Sequence, residues 1–265
     1  MSKVNILDKI VKDKLIEIEA KKKLLPLSFL VTSPLMERET FSMSESIAGG
    51  SGIITEFKRR SPSRQVINQS NGIIEVVTGY QKAKASGVSV LTDTKYFGGA
   101  LDDLIQARSA LTIPVLRKEF IIDPYQVYEA KAFGADTILL IAAILTTEEI
   151  SLLSQLAYQL ELEVLLEVHN QEELEKSDLG NVHMVGVNNR NLKTFEVSLE
   201  TSKSLARLIP EDKIKISESG ISSVEAINSL KQYGFKGFLI GENFMKTKDP
   251  GAAAKQFLKE LENES

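Results

Sequence analysis

The sequence predicts an α/β protein, a closed parallel (β/α)8 barrel (TIM barrel) preceded by an N-terminal helical extension. Three observations lead there. From Ile53 onward, short β-branched runs alternate with helix-like segments, and eight such runs follow one another. Each repeat occupies roughly 20 to 35 residues, the length of a strand, a loop, a helix and a return. Eight units in succession favour closure over an open doubly wound sheet, the other architecture this alternation allows. With 265 residues, 43% of them hydrophobic, the chain has the length of one barrel domain. The expected domain is 1–265, with 1–48 as the extension.

The elements follow in order. Over about residues 4 to 23, Ile6, Ile10, Val11, Leu15 and Ile18 recur at helical spacing among charges, which predicts an amphipathic helix. The polar stretch from 28 to 51, broken by Pro34 and Gly49-Gly50, predicts a short helix and a connection. Strands are predicted at 53–57, 88–91, 115–117, 137–141, 164–167, 184–187, 214–216 and 237–240. Gly87, Gly134 and Gly234 fall where the intervening helices should stop. A closing helix is expected over 255–261 with a short polar tail, and nothing in the termini suggests a fused second enzyme.

Composition removes several classes of function. The net charge is −4, with basic residues scattered among acids, so no nucleic-acid footprint is expected. The longest apolar run, 138–145, is far short of the roughly 18 residues that span a membrane. Near the start, Lys9, Lys12 and Lys14 interleave with Asp8, Asp13, Glu17 and Glu19, which leaves no apolar stretch for a secretion signal and predicts a cytoplasmic protein. Without cysteine there are no disulfides, thiolate nucleophiles or cysteine zinc sites. His169 and His183 flank apolar runs and read as ordinary loop residues with no metal-ligand spacing. No metal and no cofactor are expected, so acid–base work falls to carboxylates and lysines.

In such barrels function gathers at the carboxyl ends of the strands, and the polar residues concentrate there. The first strand ends in Glu56 and Lys58, which strand alternation puts on one side. If that side is the barrel interior, an acid and a base meet at the rim and perturb each other's proton affinity. The plainer alternative is a solvated edge strand with an incidental ion pair. Thr92-Asp93 follow the second strand, Lys118 the third and Glu167 ends the fifth. Asn188-Asn189-Arg190-Asn191, Ser217-Glu218-Ser219-Gly220 and Gly241-Glu242-Asn243 lie at the last three. Strand starts show no such concentration. Singly these are ordinary residues; as a ring around one mouth they predict a functional site. Ser219-Gly220 and Gly241-Glu242 would let backbone N–H groups approach a phosphate, with Lys58 adding a cation, although turn glycines alone would look the same. Phe97, Phe120 and Leu139 can line a slot for a flat ring or belong to the core.

These motifs resemble the indole-3-glycerol-phosphate synthase family of tryptophan biosynthesis. The resemblance rests on Glu56-Phe57-Lys58-Arg59-Arg60-Ser61-Pro62-Ser63, on Thr92-Asp93 leading to Tyr96-Phe97-Gly98-Gly99, and on Pro114-Val115-Leu116-Arg117-Lys118-Glu119-Phe120. Leu166-Glu167-Val168, Gly186-Val187-Asn188-Asn189-Arg190-Asn191, Glu218-Ser219-Gly220-Ile221 and Leu239-Ile240-Gly241-Glu242 continue it in the family's order, over about residues 4 to 262. Glu119 and Asn191 stand where the family commonly has Asp, and the longer Glu119 is expected to alter how Lys118 is held.

The resemblance implies a lyase that closes an indole ring with loss of carbon dioxide and water, acting on 1-(2-carboxyphenylamino)-1-deoxyribulose 5-phosphate. It implies Lys118 as general acid, Glu167 as its proton-shuttling partner, Lys58 as an aid to dehydration, Glu56 as an organiser and Asn188 as a further catalytic group. Substrate contacts are implied at Ser61, Phe97, Phe120, Leu139, Arg190, Glu218, Ser219 and Leu239. Lys58, Ser219, Gly220, Gly241 and Glu242 are implied for the phosphate. The extension is implied to lie over the barrel mouth, closing the site or merely plugging it. The partners expected are a small phosphosugar and neither nucleic acid nor membrane, with a monomer that associates at most weakly with other pathway enzymes. Two competitors fit less well. A phosphoribosylanthranilate isomerase relies on a cysteine, and a non-catalytic phosphosugar-binding barrel has no use for Glu56, Lys58, Lys118 and Glu167 together.

Overall fold

The computed structural model describes residues 6–62, 64–192 and 194–264. Residues 4 and 5 of the expected first helix, and Ser63 at the end of the motif that begins at Glu56, lie outside them. Among the described residues, eight strands pair in sequence order, all parallel, and the last returns to the first. They are β1 (Ile53–Phe57), β2 (Gly87–Leu91), β3 (Val115–Lys118), β4 (Thr137–Ile141), β5 (Glu163–Val168), β6 (Met184–Asn188), β7 (Ile214–Glu218) and β8 (Phe235–Ile240). The expected TIM barrel is the architecture found. Four strands run one or two residues further than the β-branched pattern suggests, to Lys118, Val168, Asn188 and Glu218, and three of these ends are polar. Ladder partners hold these polar ends extended: Leu91 lies opposite Lys118, and Asn188 opposite Glu218.

Among the described residues three α-helices precede the barrel, α1 (Ile6–Leu24), α2 (Leu27–Leu30) and α3 (Met43–Gly49), with a 3-10 turn at Pro34–Glu37 between the last two. Around it follow α4 (Ile73–Lys82), α5 (Thr94–Phe97), α6 (Leu101–Ala110), α7 (Pro124–Ala132), α8 (Thr147–Gln159), α9 (Gln171–Glu175), α10 (Glu200–Leu205), α11 (Val224–Lys231), α12 (Glu242–Met245) and α13 (Pro250–Asn263). Strand alternation sorts the core into two layers. Ile53, Phe57, Val88, Val90, Ile138, Leu140, Val164 and Leu166 belong to the layer shared with the helices. Ile54, Leu116, Leu139, Leu165, Met184, Ile216 and Leu239 fill the interior. Two residues on from these inward positions come Glu56, Lys118, Glu167 and Glu218. The same period-two rule that buries the interior therefore aims the ionisable groups at its mouth.

The extension divides between the two ends of the barrel. Leu7 and Ile10 of α1 join the inner apolar cluster, and so do Met43 and Ile47 of α3. However, α3 is tied to residues that precede strands or open them. Ser42 and Ser44 hydroxyls donate to Glu163 at 2.7 and 2.6 Å, and Ser46 donates to the Ser86 carbonyl at 2.6 Å. A Cβ on Gly87, the first residue of β2, would strike Met43. The expectation of an extension lying wholly over the mouth thus holds for α1 and is corrected for α3, which plugs the amino end. The 28–51 stretch also holds more helix than expected, because Ser33 and Ser42 cap separate turns by accepting from Leu35 and Glu45 N–H groups at 3.3 and 3.0 Å.

Two further expectations need correction. Strand starts are not free of buried polar residues: Asp136, which precedes β4, is fully buried and accepts from Arg38, Arg108 and the Phe41 and Val115 N–H groups. The buried stripe of α1 is Leu7, Ile10, Lys14 and Ile18, while Leu15 is 52% exposed. Lys14 turns inward because two buried carboxylates, Asp93 and Glu119, take its ammonium at 2.8 and 3.1 Å.

Candidate active site

A cavity of about 400 Å³ opens at the carboxyl ends of the strands. The residues given catalytic, substrate or phosphate roles line it: Glu56, Lys58, Ser61, Phe97, Lys118, Phe120, Leu139, Glu167, Asn188, Arg190, Glu218, Ser219, Gly220, Leu239, Gly241 and Glu242, whereas Thr92, Asn189, Asn191 and Ser217 of the expected ring do not. Ile6, Leu7 and Ile10 of α1 line it as well, so the extension supplies part of its apolar wall.

At its base, Lys118 makes a short ion pair with Glu218, and its Nζ lies 3.4 Å from Glu167 Oε2. Glu56 Oε1 takes the Lys58 ammonium at 2.7 Å. Gly186 and Gly241 make room for this cluster, since a Cβ on the first would strike the Glu218 carboxylate and on the second that of Glu56. Burial pushes the Glu218 carboxyl up to about 7; the Glu167 charge adds to the shift and the Lys118 ammonium opposes it. Burial also works against the Lys118 ammonium, but the charges of Glu218, Glu167 and Glu56 outweigh it and hold its proton more tightly than in an ordinary lysine. Glu167 goes the other way: burial is outweighed by Lys118, by His169 and by a hydrogen bond from Asn188, which keep it ionised. Asn188 is oriented for that bond because its Oδ1 accepts the Arg190 N–H at 3.0 Å. Neighbouring groups whose proton affinities are driven apart are the signature of acid–base machinery.

One wall is apolar. The Phe97 and Phe120 rings stand 6.0 Å apart at 40°, with Leu139 and Leu239 lining the same cavity. Another part of the lining is built of turns. Ser219 and Gly220 both have left-handed backbone, at φ 65° and 79°, and a Cβ on Gly220 would strike Val197. Gly241 opens α12, and the Glu242 carboxylate is drawn aside by Arg64 at 2.7 Å. Lys246, which the sequence reading missed, also faces this cavity. Arg190 spends one donor on the Phe195 carbonyl of its own loop at 3.1 Å.

The expectation that Glu119 alters the hold on Lys118 is corrected. Its carboxylate accepts from Thr92 and from the Phe120 N–H, both at 2.9 Å, and binds Lys14. Glu119 therefore fastens α1 to the end of β3, next to the aromatic wall. Asn191, the other departure, shapes its own loop by accepting the Thr194 N–H at 3.1 Å. Lys14 was legible in principle: a charge four residues from Ile10 and Ile18 and seven from Leu7 lies on the apolar stripe of its helix. His169 was read as an ordinary loop residue, yet it is nine-tenths buried, with Nε2 3.4 Å from Glu167 Oε1 and Nδ1 3.1 Å from Glu173 Oε2.

Fold and site together define a class: a closed parallel barrel enzyme whose carboxyl-end mouth combines a lysine–carboxylate cluster with an apolar wall. The family profile of indole-3-glycerol phosphate synthase matches residues 7–257. A protein of that name from Bacteroides thetaiotaomicron is 45% identical over 259 residues, covering 97% of this chain and 99% of its own. Another, from Polynucleobacter necessarius, is 48% identical over 206 residues, covering 78% and 77%. The chain belongs to the indole-3-glycerol phosphate synthase family, lyases of tryptophan biosynthesis. Among solved structures, 3-hexulose-6-phosphate synthase from Salmonella typhimurium (TM-score 0.64, 10% identity, 81% of this chain and 100% of that one) shares the fold. So does thiamine phosphate pyrophosphorylase from Pyrococcus furiosus (TM-score 0.62, 13% identity, 84% and 98%). No helix among the described residues is long and apolar enough to cross a membrane.

Proposed function

We propose that the cavity binds 1-(2-carboxyphenylamino)-1-deoxyribulose 5-phosphate and that its lysine–carboxylate cluster closes the indole ring. The observation that carries this reading is the Lys118 ammonium, held protonated between Glu218 and Glu167 at the base of a cavity with an apolar wall. The aromatic ring of the substrate lies against Phe97, Phe120, Leu139 and Leu239. Its phosphate lies at Ser219, Gly220, Gly241 and Glu242, where backbone N–H groups are the donors, with Lys58 contributing charge. Ser61 and Arg190 take the substrate carboxylate and sugar.

In the first step the ring carbon bearing the carboxylate attacks the sugar ketone. The carbonyl electron pair moves to oxygen, which takes a proton from Lys118, and the bond to the carboxylate breaks to release carbon dioxide. In the second step the new hydroxyl leaves as water with a second proton, for which Lys58 is placed, and Glu167 removes a proton from the sugar-derived carbon to complete the aromatic ring. Glu56 holds Lys58, Glu218 holds Lys118, and Asn188 fixes Glu167. We place the reaction in the cytoplasm and take the monomer as the working unit, because one chain supplies every group named.

The test is indole fluorescence after the substrate is added to purified protein and to its Glu167→Gln variant. The protein should generate the indole signal, and the variant should lose on the order of a hundredfold or more in kcat. Full activity of the variant would remove Glu167 from the reaction.

A further inference from the structure

His169 is a titratable side chain next to the site for which the reaction above has no use. It follows β5 directly, and its imidazole lies between Glu167, which lines the cavity, and Glu173 of α9. On the inner side Nε2 lies 3.4 Å from Glu167 Oε1, while the other Glu167 oxygen faces Lys118. On the outer side Glu173 of α9 accepts from the His169 backbone N–H at 2.8 Å and meets Nδ1 at 3.1 Å. Nε2 is buried and makes no hydrogen bond within normal geometry among the described residues. His169 also lines a separate surface groove with Asn170, Ser198, Glu200 and Lys203, none of which lines the cavity. A proton on Nδ1 shared with Glu173 turns Nε2 toward Glu167, where the ring either donates or accepts according to its charge.

The reaction supplies a reason for such a bridge. Ring closure takes up two protons, one on the alkoxide and one on the departing hydroxyl, and returns one from carbon. The carboxylate leaves as neutral carbon dioxide while the phosphate keeps its charge, so one proton per turnover must come from solvent. We propose that His169 is a positioning residue that orients Glu167 and passes protons to it from the outer groove, along the line Glu173, His169, Glu167, Lys118. This rests on the role given to Glu167 above. The long contact to Glu167 suits an unliganded site, in which catalytic hydrogen bonds are commonly loose before substrate tightens them. The charged groups facing His169 are Glu167 from β5, Glu173 from α9 and Glu218 from β7, with Glu200 and Lys203 of α10 along the groove.

The experiment uses full-length protein, the indole assay and the variants His169→Ala, His169→Gln and Glu167→Gln. His169→Ala should lose about tenfold in kcat, with KM within about twofold, and should regain activity as imidazole is added. Its acidic limb of kcat against pH should move to higher pH, because Glu167 loses a cationic neighbour. His169→Gln, close to the native volume, should show the same loss of kcat and the same displaced limb at an unchanged melting temperature. Wild-type kcat with an unmoved limb in His169→Gln overturns the inference, and so does a loss in His169→Ala that imidazole does not relieve. If Glu167→Gln is inactive while both His169 variants behave as wild type, His169 alone loses its role; if Glu167→Gln is fully active, the reading of Glu167 falls too.

Discussion

The two ends of the barrel both bury ionic groups, and they do so to opposite effect. At the amino end, Asp136 is saturated: two arginines and two backbone N–H groups converge on one carboxylate. At the carboxyl end, Glu218 pairs with Lys118 through one oxygen, while the other oxygen has no partner among the described residues. A saturated buried ion holds elements together, here α3's leading segment, α6 and the start of β3. An unsaturated one holds free energy that a substrate or a proton can claim. The raised proton affinity of Glu218 expresses this difference, and barrels commonly divide stability and catalysis between their ends in the same way.

The contrast can be broken experimentally, most forcefully at the amino end. Asp136→Ala strands two arginines, and it should cost about 3 to 5 kcal/mol in a urea unfolding titration. The folded fraction should keep its normal kcat, and a loss of turnover at unchanged stability would erase the distinction between the ends. Lys14→Met comes next, because it leaves Asp93 and Glu119 buried without their cation. A loss of about 3 kcal/mol is expected, together with a raised KM, since Glu119 also holds the Phe120 N–H beside the aromatic wall. Unchanged KM would make α1 a structural cover only. Deleting residues 1–45 outright would be less informative, because it uncovers both ends at once.

The smallest effect concerns Glu218 itself. Its folded-state pKa is raised, so its burial is least costly at low pH, and the stability it contributes is lost as pH rises through about 7. Infrared titration of its carboxyl should find a midpoint near that value. In Lys118→Met the midpoint should climb by about a unit, because the ammonium opposes the shift. A midpoint in the ordinary carboxylate range would show that the site is better solvated than its geometry indicates.

Much of this was legible in the sequence, for a reason visible in the strands. Period-two alternation carries Ile54 to Glu56, Leu116 to Lys118, Leu165 to Glu167 and Ile216 to Glu218, so naming the barrel places the ring. What escaped depends on contacts between distant segments. Nothing near Lys14 in sequence announces Asp93 or Glu119, and nothing in the 28–51 stretch says that Met43 meets Gly87 at the far end. His169 was misjudged because a histidine after a strand is ordinary until Glu173, four residues on, is folded back against it by α9. Glu119 illustrates the converse. Its sequence neighbour Lys118 suggested a partner, but Glu119 lies one residue past β3 and is claimed by Thr92, the Phe120 N–H and Lys14.

The central claim is that the Lys118 ammonium, poised in the unsaturated cluster, is the acid for ring closure. Single-turnover indole formation by Lys118→Met, read beside its melting temperature, tests this most directly. We predict a rate lower by on the order of a hundredfold or more, with the melting temperature within about 5 °C of wild type as Glu218 takes up a proton in place of the lost charge. A near-normal rate from the folded variant would contradict the account.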